Sequence, residues 1–539
     1  MRFSRRKFLA SVSAAGLILP GAYYGQQEIR HRFIDEEVTP DEATVESASD
    51  EGNWLAERLR GIWDFEFVGD GNLDGLPNSK LQMVLDIGYT GRALRGYMGT
   101  FESLRGDADP EYRVSGSLVN IEGSKLRWLI CGRDTPRYEC DAVLDEVWST
   151  WSNAGDGTLS GRIRDLNRSL QLPEQHYTFI ARKQRFPEAK ERVPYNAALQ
   201  EWLVSAEHRL FHQIWHASRD KWHNLSEEKH EGLRGLGWQP GPIGKERDGR
   251  GQHKHRNGSG EDFLFMHRHM LRQALALQPD LVCWSRLPLP APFIEGDRQG
   301  FIRYYENHDG CSVPPAWEPP GDPEYGQWLR GVKGCETFYS NYQVWESLYQ
   351  DPAYLAKLTL GEFGSELELN IHDWLHIRWA AVTRDPSNGM PLFWDRNNRD
   401  FSSRWFLPEN DYLGDPFSSH VNPVFWMFHS WINDRVEDWF RAHERIHPGA
   451  VKRQMVKGVP WFAPGQWVQV SDPWLGSSPY GCVPSGHQTD AVALDTEVMK
   501  LALRIALSGE EDASDWLKRT PSRPWYARNL TGKKLLRNL

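Results

Sequence analysis

Alternating hydrophobic and polar positions mark the chain between about residues 54 and 184. The clearest runs are 63–67, 81–87 and 126–130, in which apolar residues recur at every second position. Period-two alternation is typical of a strand with one buried face, and Gly, Asn and Asp turns separate about eight such runs. We therefore expect a small antiparallel β-barrel or sandwich domain over residues 51–185 with a structural role. A lipocalin-like ligand-binding role is the less favoured alternative.

The pattern changes to a helical period at about residue 190. From Ala197 to Trp222, apolar residues recur three or four positions apart, which predicts one long amphipathic helix. Ser226 precedes a charged segment as a helix cap would, and a further helix is predicted to begin near Glu261. The fold class that follows is multidomain α+β, with a β-barrel-like domain followed by a mainly α-helical domain over residues 190–505.

The N-terminal segment 1–24 is predicted to direct export. It contains Ser4-Arg-Arg-Lys-Phe-Leu9, which resembles the twin-arginine signal, followed by a short apolar stretch. That resemblance implies that the twin-arginine export machinery is a partner and that the destination is the periplasm. Residues 25–50 are acidic and polar and are predicted to form a linker.

Composition narrows the function classes. The formal net charge of -10 argues against nucleic acid as a partner. Six cysteines without a Cys-x2-Cys pair argue against a zinc ribbon and a disulfide scaffold, although Cys131 and Cys140 are near enough in sequence to bridge a short loop. The 25 tryptophans predict thick aromatic packing.

Histidines supply the candidate chemistry. His372 and His376 are four residues apart, so a helix would present both on one face. His429 and His267 each close an aromatic-rich segment elsewhere in the chain. Imidazole-only coordination suits copper, zinc, iron or nickel, so these residue types predict a metal centre without naming the ion.

Three segments around these histidines resemble copper-binding blocks of the tyrosinase and catechol oxidase family. They are Phe263-Leu-Phe-Met-His-Arg268, Glu368-Leu-Asn-Ile-His-Asp-Trp-Leu-His376 and Asn422-Pro-Val-Phe-Trp-Met-Phe-His429, in the family's order. The resemblance covers roughly residues 195–505. It implies a tyrosinase-type four-helix-bundle domain that holds two copper ions as a type 3 dinuclear site, with dioxygen as co-substrate.

The same resemblance assigns three histidines to each copper ion. His372, His376 and His429 match the second copper site, and His267 matches the first. The remaining first-site ligands are less clearly marked: His255 is the nearest loop candidate, and His216 is preferred on the preceding helix. Other histidines remain alternatives at this point: His208, His212, His223, His230 and His253.

The family's chemistry gives the expected function. A dicopper tyrosinase hydroxylates a phenol beside its OH and oxidises the product to an o-quinone. Glu368 matches a family glutamate that orients a water, and Asp373 is a second candidate proton acceptor. Two alternatives remain: a catechol oxidase without activity on monophenols, and a non-catalytic oxygen-binding or scaffold protein.

The C-terminal tail, residues 506–539, is a possible active-site lid. Tyr526 follows Pro524-Trp525 there and is the candidate substrate mimic. The order of leader, β domain and copper domain is similar to that of the family members that mature the chromophore of pyoverdine siderophores. This likeness implies a homodimer that oxidises the tyrosine of a peptide siderophore precursor.

Overall fold

Eight antiparallel strands form a closed barrel near the N-terminus. The computed structural model describes residues 59–69, 81–87, 93–117, 125–132, 135–145, 157–166, 176–186, 189–241, 259–307, 312–317, 323–389, 401–484 and 494–507. Each strand pairs with its neighbours in sequence, and the last strand returns to the first with Trp63 opposite Lys183. The strands are β1 Gly61–Phe67, β2 Leu81–Ile87, β3 Ala93–Thr100, β4 Tyr112–Ser117, β5 Lys125–Gly132, β6 Thr135–Asp145, β7 Thr158–Asp165 and β8 His176–Lys183. The predicted antiparallel β domain is confirmed as a barrel, a form that leaves no unpaired edge.

Aromatic side chains fill the barrel interior. Along β1, buried Trp63, Phe65 and Phe67 alternate with exposed acidic residues, and Phe65 stacks on Phe179 with ring centroids 4.6 Å apart. This packing favours the structural role over ligand binding. Cys140 lies opposite Trp128 in the β5–β6 register, and Cys131 and Cys140 are both free thiols, so the possible bridge between them is not formed.

Helices make up most of the remaining described chain. In order they are α1 Phe101–Arg105, α2 Ala189–Arg192, α3 Ala197–Val204, α4 Ala206–Lys221, α5 Glu227–Gly235, α6 Ser259–Leu277, α7 Arg298–Asn307, α8 Pro323–Lys333, α9 Cys335–Thr337, α10 Gln343–Leu348, α11 Pro352–Leu355, α12 Leu360–Glu366, α13 Asp373–Trp379, α14 Pro423–Ile446 and α15 Thr496–Leu507. Two π-helical segments, Phe338–Tyr342 and Leu367–His372, join α9 to α10 and α12 to α13, and β9 Arg453–Val456 pairs with β10 Val459–Phe462. Among the described helices, none combines the length and hydrophobicity that crossing a membrane requires.

The single helix predicted over residues 197–222 is wrong: the structure divides it at Ser205. The backbone of Ser205 leaves the helical region (ψ 148°), and its hydroxyl accepts a hydrogen bond from the His208 amide at 3.2 Å. A serine offers the backbone this local alternative and then caps the next helix, which a hydrophobic period cannot reveal. The cap predicted at Ser226 is confirmed, since its hydroxyl accepts from the Lys229 amide.

The barrel docks onto the helical region through α1 and α7. Ile62 and Val84 on the barrel's outer face form one hydrophobic cluster with Phe301 and Ile302 of α7. Arg298 Nε donates to the Leu104 carbonyl at 2.9 Å, and Arg105 and Glu306 form an ion pair. The barrel therefore rests against a helix that carries none of the candidate metal ligands.

Helix α6, which carries His267, and helix α12, which leads into the segment that ends at His372, approach each other backbone to backbone. A Cβ built on Gly260 of α6 would lie 2.2 Å from the Gly361 carbonyl oxygen, and one on Gly364 of α12 would lie 2.2 Å from the Gly260 oxygen. Only glycine allows this approach. Arg268 of α6 also makes a 2.8 Å ion pair with Glu437, which joins this helix to α14.

Candidate metal centre

Helix α4 contributes a row of histidines to the protein interior. His208, His212 and His216 are four residues apart and almost fully buried. A separation of four residues advances about 400° around an α-helix, so the three rings project from neighbouring parts of one face. His212 Nδ1 lies 2.6 Å from the Pro416 carbonyl oxygen, which turns Nε2 of that ring towards His216 and His267.

The π-helical segment Leu367–His372 carries Glu368 and ends at the first histidine of its pair. Such segments are rare and are frequent at functional sites. Thr359 begins α12 with a capping box, in which Glu362 binds back to the Thr359 amide at 3.0 Å. At the far end, the Nε2 atoms of His372 and His376 are 3.0 Å apart, so both rings already point to one place.

Helices α6 and α14 each contribute one imidazole, and both rings are held in the same way. His267 Nδ1 donates to the Phe263 carbonyl at 2.9 Å, and His429 Nδ1 donates to the Phe425 carbonyl at 2.7 Å. Each acceptor lies one turn earlier on the ligand's own helix. Asn422 caps α14 by accepting from the Val424 amide at 3.0 Å, which places the start of this helix.

Six imidazoles therefore meet in one buried region. The ligand atoms of His212, His216 and His267 lie within 4.8 Å of one another, as do those of His267, His372 and His429. His267 belongs to both groups, and its ring centroid is 4.5 Å from that of His429. His376 joins the second group through its 3.0 Å contact with His372. Two adjacent histidine sets result, with three and four members and His267 shared between them.

The protonation of these rings suits metal binding. Burial, reinforced by neighbouring imidazoles, lowers the pKa of His212 to about 3 and holds the pKa values of His216, His267, His376 and His429 well below the ordinary value. The rings are therefore neutral near pH 7. His376 Nδ1 also donates to a carbonyl, that of Leu413, at 2.7 Å.

A bound ion would complete the bonding of these groups. The Nε2 atoms of His212, His267 and His429 are buried and have no hydrogen-bond partner among the described residues. A buried unpaired nitrogen is costly unless something binds it. Metal–imidazole bonds are about 2.0–2.1 Å long, so nitrogens 3–5 Å apart can share one ion or two adjacent ions. The donor set fits copper or zinc.

Carboxylates line one side of the centre. A small cavity of about 20 Å³, enough for one water, is bounded by imidazoles together with Asp220, Glu368 and Asp373. Arg219 donates to both oxygens of Glu368 in a bidentate ion pair, with N–O distances of 2.6 and 3.1 Å, and both side chains are almost fully buried. Asp373 lies 3.2 Å from His372 Nδ1, where its carboxylate supports that ring.

The structure brings together His216, His267, His372, His376 and His429 of the predicted ligands, with Glu368 and Asp373 beside them. His255, the alternative His253 and Tyr526 lie outside the described residues. His230 stacks on Trp222, 4.2 Å between ring centroids, and with His223 it belongs to neither histidine set.

Sequence reasoning gave too little weight to α4. His212, left as an alternative there, stands with His216 and His267, while Arg219, Asp220 and the nearby His420 were not considered. The spacing His208-x3-His212-x3-His216 was the available signal, because it puts more than one imidazole on the same helix face.

Comparison with known proteins adds no assignment: no protein-family model matches the chain, and no curated protein matches it.

Proposed function

We propose that the chain is a dicopper tyrosinase that uses dioxygen to hydroxylate and oxidise phenols. One observation carries the proposal: buried, neutral imidazoles converge in two adjacent sets. In four of these rings Nδ1 donates a hydrogen bond to a backbone carbonyl oxygen, which leaves Nε2 directed inwards; the four are His212, His267, His376 and His429. The donors of both sets are imidazoles, and the carboxylates of Asp220 and Glu368 lie within 4.8 Å of a His216 nitrogen. Imidazole donors suit copper, and the three sequence blocks that resemble copper-binding blocks of tyrosinases favour it over zinc.

The ligand assignment follows from the two sets. His212, His216 and His267 would hold one ion, and His372, His376 and His429 the other. This assignment places His212 in the first set. The loop histidine His255 of the sequence-based expectation lies outside the described residues and stays a prediction. Copper bound there would supply dioxygen activation and accept electrons from the substrate.

The chain's own residues would prepare the phenol. A phenol has a pKa of about 10, so it must lose its proton to an acceptor or to a held water. Glu368 and Asp373 both border the cavity and can hold that water. One para-substituted phenol and one O₂ give one o-quinone and one water, so the reaction needs no external reductant.

A second candidate function is catechol oxidation without hydroxylation. It is favoured by the bidentate contact between Arg219 and Glu368, because both carboxylate oxygens already accept from the guanidinium and are less free to hold a water against the phenol. In that reaction two catechols and one O₂ give two quinones and two waters. A non-catalytic oxygen-binding protein would carry the same metals and convert neither substrate.

The further assignments rest on resemblance to the pyoverdine-maturation tyrosinases. They are a tyrosinase-type four-helix bundle, export to the periplasm, a homodimer, a lid containing Tyr526 and the tyrosine of a peptide siderophore precursor as substrate. The chemistry of the site applies to free phenols as well as to a phenol within a peptide.

The deciding experiment loads the purified chain with copper and measures metal content and oxygen uptake with a monophenol and with a catechol. We expect two copper ions per chain and quinone formation from both substrates. His429→Phe should lose copper and activity. His443→Phe is the matched control, because His443 is equally buried on α14 and bonds the Leu358 carbonyl outside the centre.

The outcomes separate the candidates. Conversion of catechol alone supports the catechol oxidase, and copper binding without turnover of either substrate supports the oxygen-binding protein. A wild-type chain that binds no copper under conditions where it is folded would refute the metal centre itself.

A further inference from the structure

A further buried histidine, His420, contacts the candidate ligand His212 on the side away from the other candidate ligands. His420 lies in the 3₁₀ turn Ser419–Val421 just before α14 and is fully buried. Its Nε2 is 3.0 Å from the Leu203 carbonyl oxygen, and its Nδ1 is 3.1 Å from Nδ1 of His212. His420 is thus joined to a candidate ligand without belonging to either histidine set.

The direction of these hydrogen bonds is determined by the backbone. A carbonyl oxygen only accepts, so His420 Nε2 must carry the hydrogen and donate it to Leu203. In a neutral imidazole the other nitrogen is then a bare acceptor. His420 Nδ1 therefore accepts from the His212 Nδ1 hydrogen, which Pro416 O also accepts at 2.6 Å. This leaves Nε2 of His212 as the lone pair available to a metal.

Packing holds the His420 ring in this orientation. The His208 ring lies against it with centroids 4.3 Å apart, and Trp202 meets His208 edge-on at 4.2 Å. Trp426 Nε1 donates to the His420 carbonyl at 2.9 Å, which ties the turn to the first turn of α14. Rotation of the ring would break its bond to Leu203 and open this cluster.

We propose that His420 is a positioning residue: through its Nδ1 it sets the tautomer and orientation of His212 as a ligand of the first metal ion. The role rests on the proposed dinuclear function. His420 and Pro416 hold the same hydrogen of His212 from two sides, so the ring cannot present Nδ1 to the metal. Residues that orient metal-bound histidines in this way typically change metal affinity about 10–100-fold when replaced.

The test compares copper retention in the full chain and its variants. Each protein is loaded with copper and dialysed against increasing concentrations of a copper chelator, and copper per chain is measured. His420→Phe keeps the ring volume and removes both nitrogens, so one of the two ions should be lost at about 10–100-fold lower chelator concentration. His420→Asn places an amide oxygen near the Nδ1 position and should retain copper nearly as wild type does.

A control variant tests whether removing any buried imidazole has the same effect, and a substitute variant covers the case in which His420→Phe does not fold. His443→Phe removes another buried imidazole that bonds a backbone carbonyl, and it should retain both ions. If His420→Phe does not fold, as judged by its unfolding transition, His420→Met replaces it, since methionine adapts to irregular space.

Each result decides one question. A wild-type chain without copper refutes the proposed function. If wild type binds two ions and His420→Phe, or its substitute, retains both equally well, only the positioning role is refuted. Equal losses in His420→Phe and His420→Asn would also overturn it, because packing rather than the acceptor nitrogen would then matter. The same loss in His443→Phe would indicate general destabilisation and would count against the proposal as well.

Discussion

Replacing Gly364 with alanine should separate α6, which carries His267, from α12, which leads into the segment that ends at His372. The new Cβ would lie 2.2 Å from the Gly260 carbonyl oxygen and 2.5 Å from its carbonyl carbon. Both atoms belong to the backbone of α6, so no side-chain rotation can relieve the contact. An ordinary contact needs about 1 Å more, and α6 and α12 must move apart by roughly that distance.

The displacement has a stability cost and a functional cost. Forcing an extra methyl into a packed interior typically lowers the free energy of unfolding by about 1–3 kcal/mol. His267 lies about two turns beyond the contact on α6, and His372 ends the π-helical segment that continues α12. Their ring centroids are 5.6 Å apart. Sites of this kind tolerate about 0.5 Å of displacement. On the proposed function, we therefore also expect easier loss of copper and a fall in oxidase rate of about 10²-fold.

Chemical denaturation and copper content measure the two effects. Gly235→Ala is the matched control, because Gly235 is also helical but a Cβ there meets nothing within 4 Å. That variant should be neutral or slightly stabilised, by about 0.4–1 kcal/mol. If Gly364→Ala unfolds like wild type and keeps its copper, the close approach of α6 and α12 does not hold the site together.

Two further predictions concern buried charges near the centre. Arg219→Met should lower the free energy of unfolding by about 3–5 kcal/mol, because it leaves the Glu368 carboxylate buried without its cation. Adding Glu368→Gln to that variant should restore part of the loss in a denaturant titration, and no restoration would contradict the pairing. The second prediction concerns Asp262, whose Oδ1 accepts from the Trp474 amide and whose pKa is raised by burial to about 7. The folded chain then binds this proton more tightly than the unfolded chain does, so the stability that the group contributes falls as pH rises from about 4 to about 7. The free energy of unfolding of Asp262→Asn should lack that pH dependence, so the variant should become more stable relative to wild type as the pH rises through this range. A constant difference in the free energy of unfolding would show that Asp262 keeps an ordinary pKa.

The barrel was the most predictable part of the fold. Strand periodicity is a local property, and runs such as Trp63-Asp-Phe-Glu-Phe67 state which face is buried before any partner is known. The choice between barrel and sandwich was not local. It depended on β8 pairing with β1, a contact between residues about 120 positions apart, which no short window contains.

Helix boundaries were less predictable. The apolar period continues through Ser205, yet the serine hydroxyl competes for the backbone and starts a new helix. The divided helix matters for function, because α4 begins at this cap and its histidines take their direction from it. The consequence could be seen only once the turn was placed.

By itself, the sequence determined which histidines could act in pairs, since the spacing of His372 and His376 places them together on any helix. It also marked His267 and His429 through the segments around them. Only the tertiary structure decided that His212 stands with His216 and His267, that Arg219 holds Glu368, and that His420 lies behind His212. Spacing orients residues within one helix, whereas these contacts join segments that are far apart in the sequence, and their distances depend on how the helices pack.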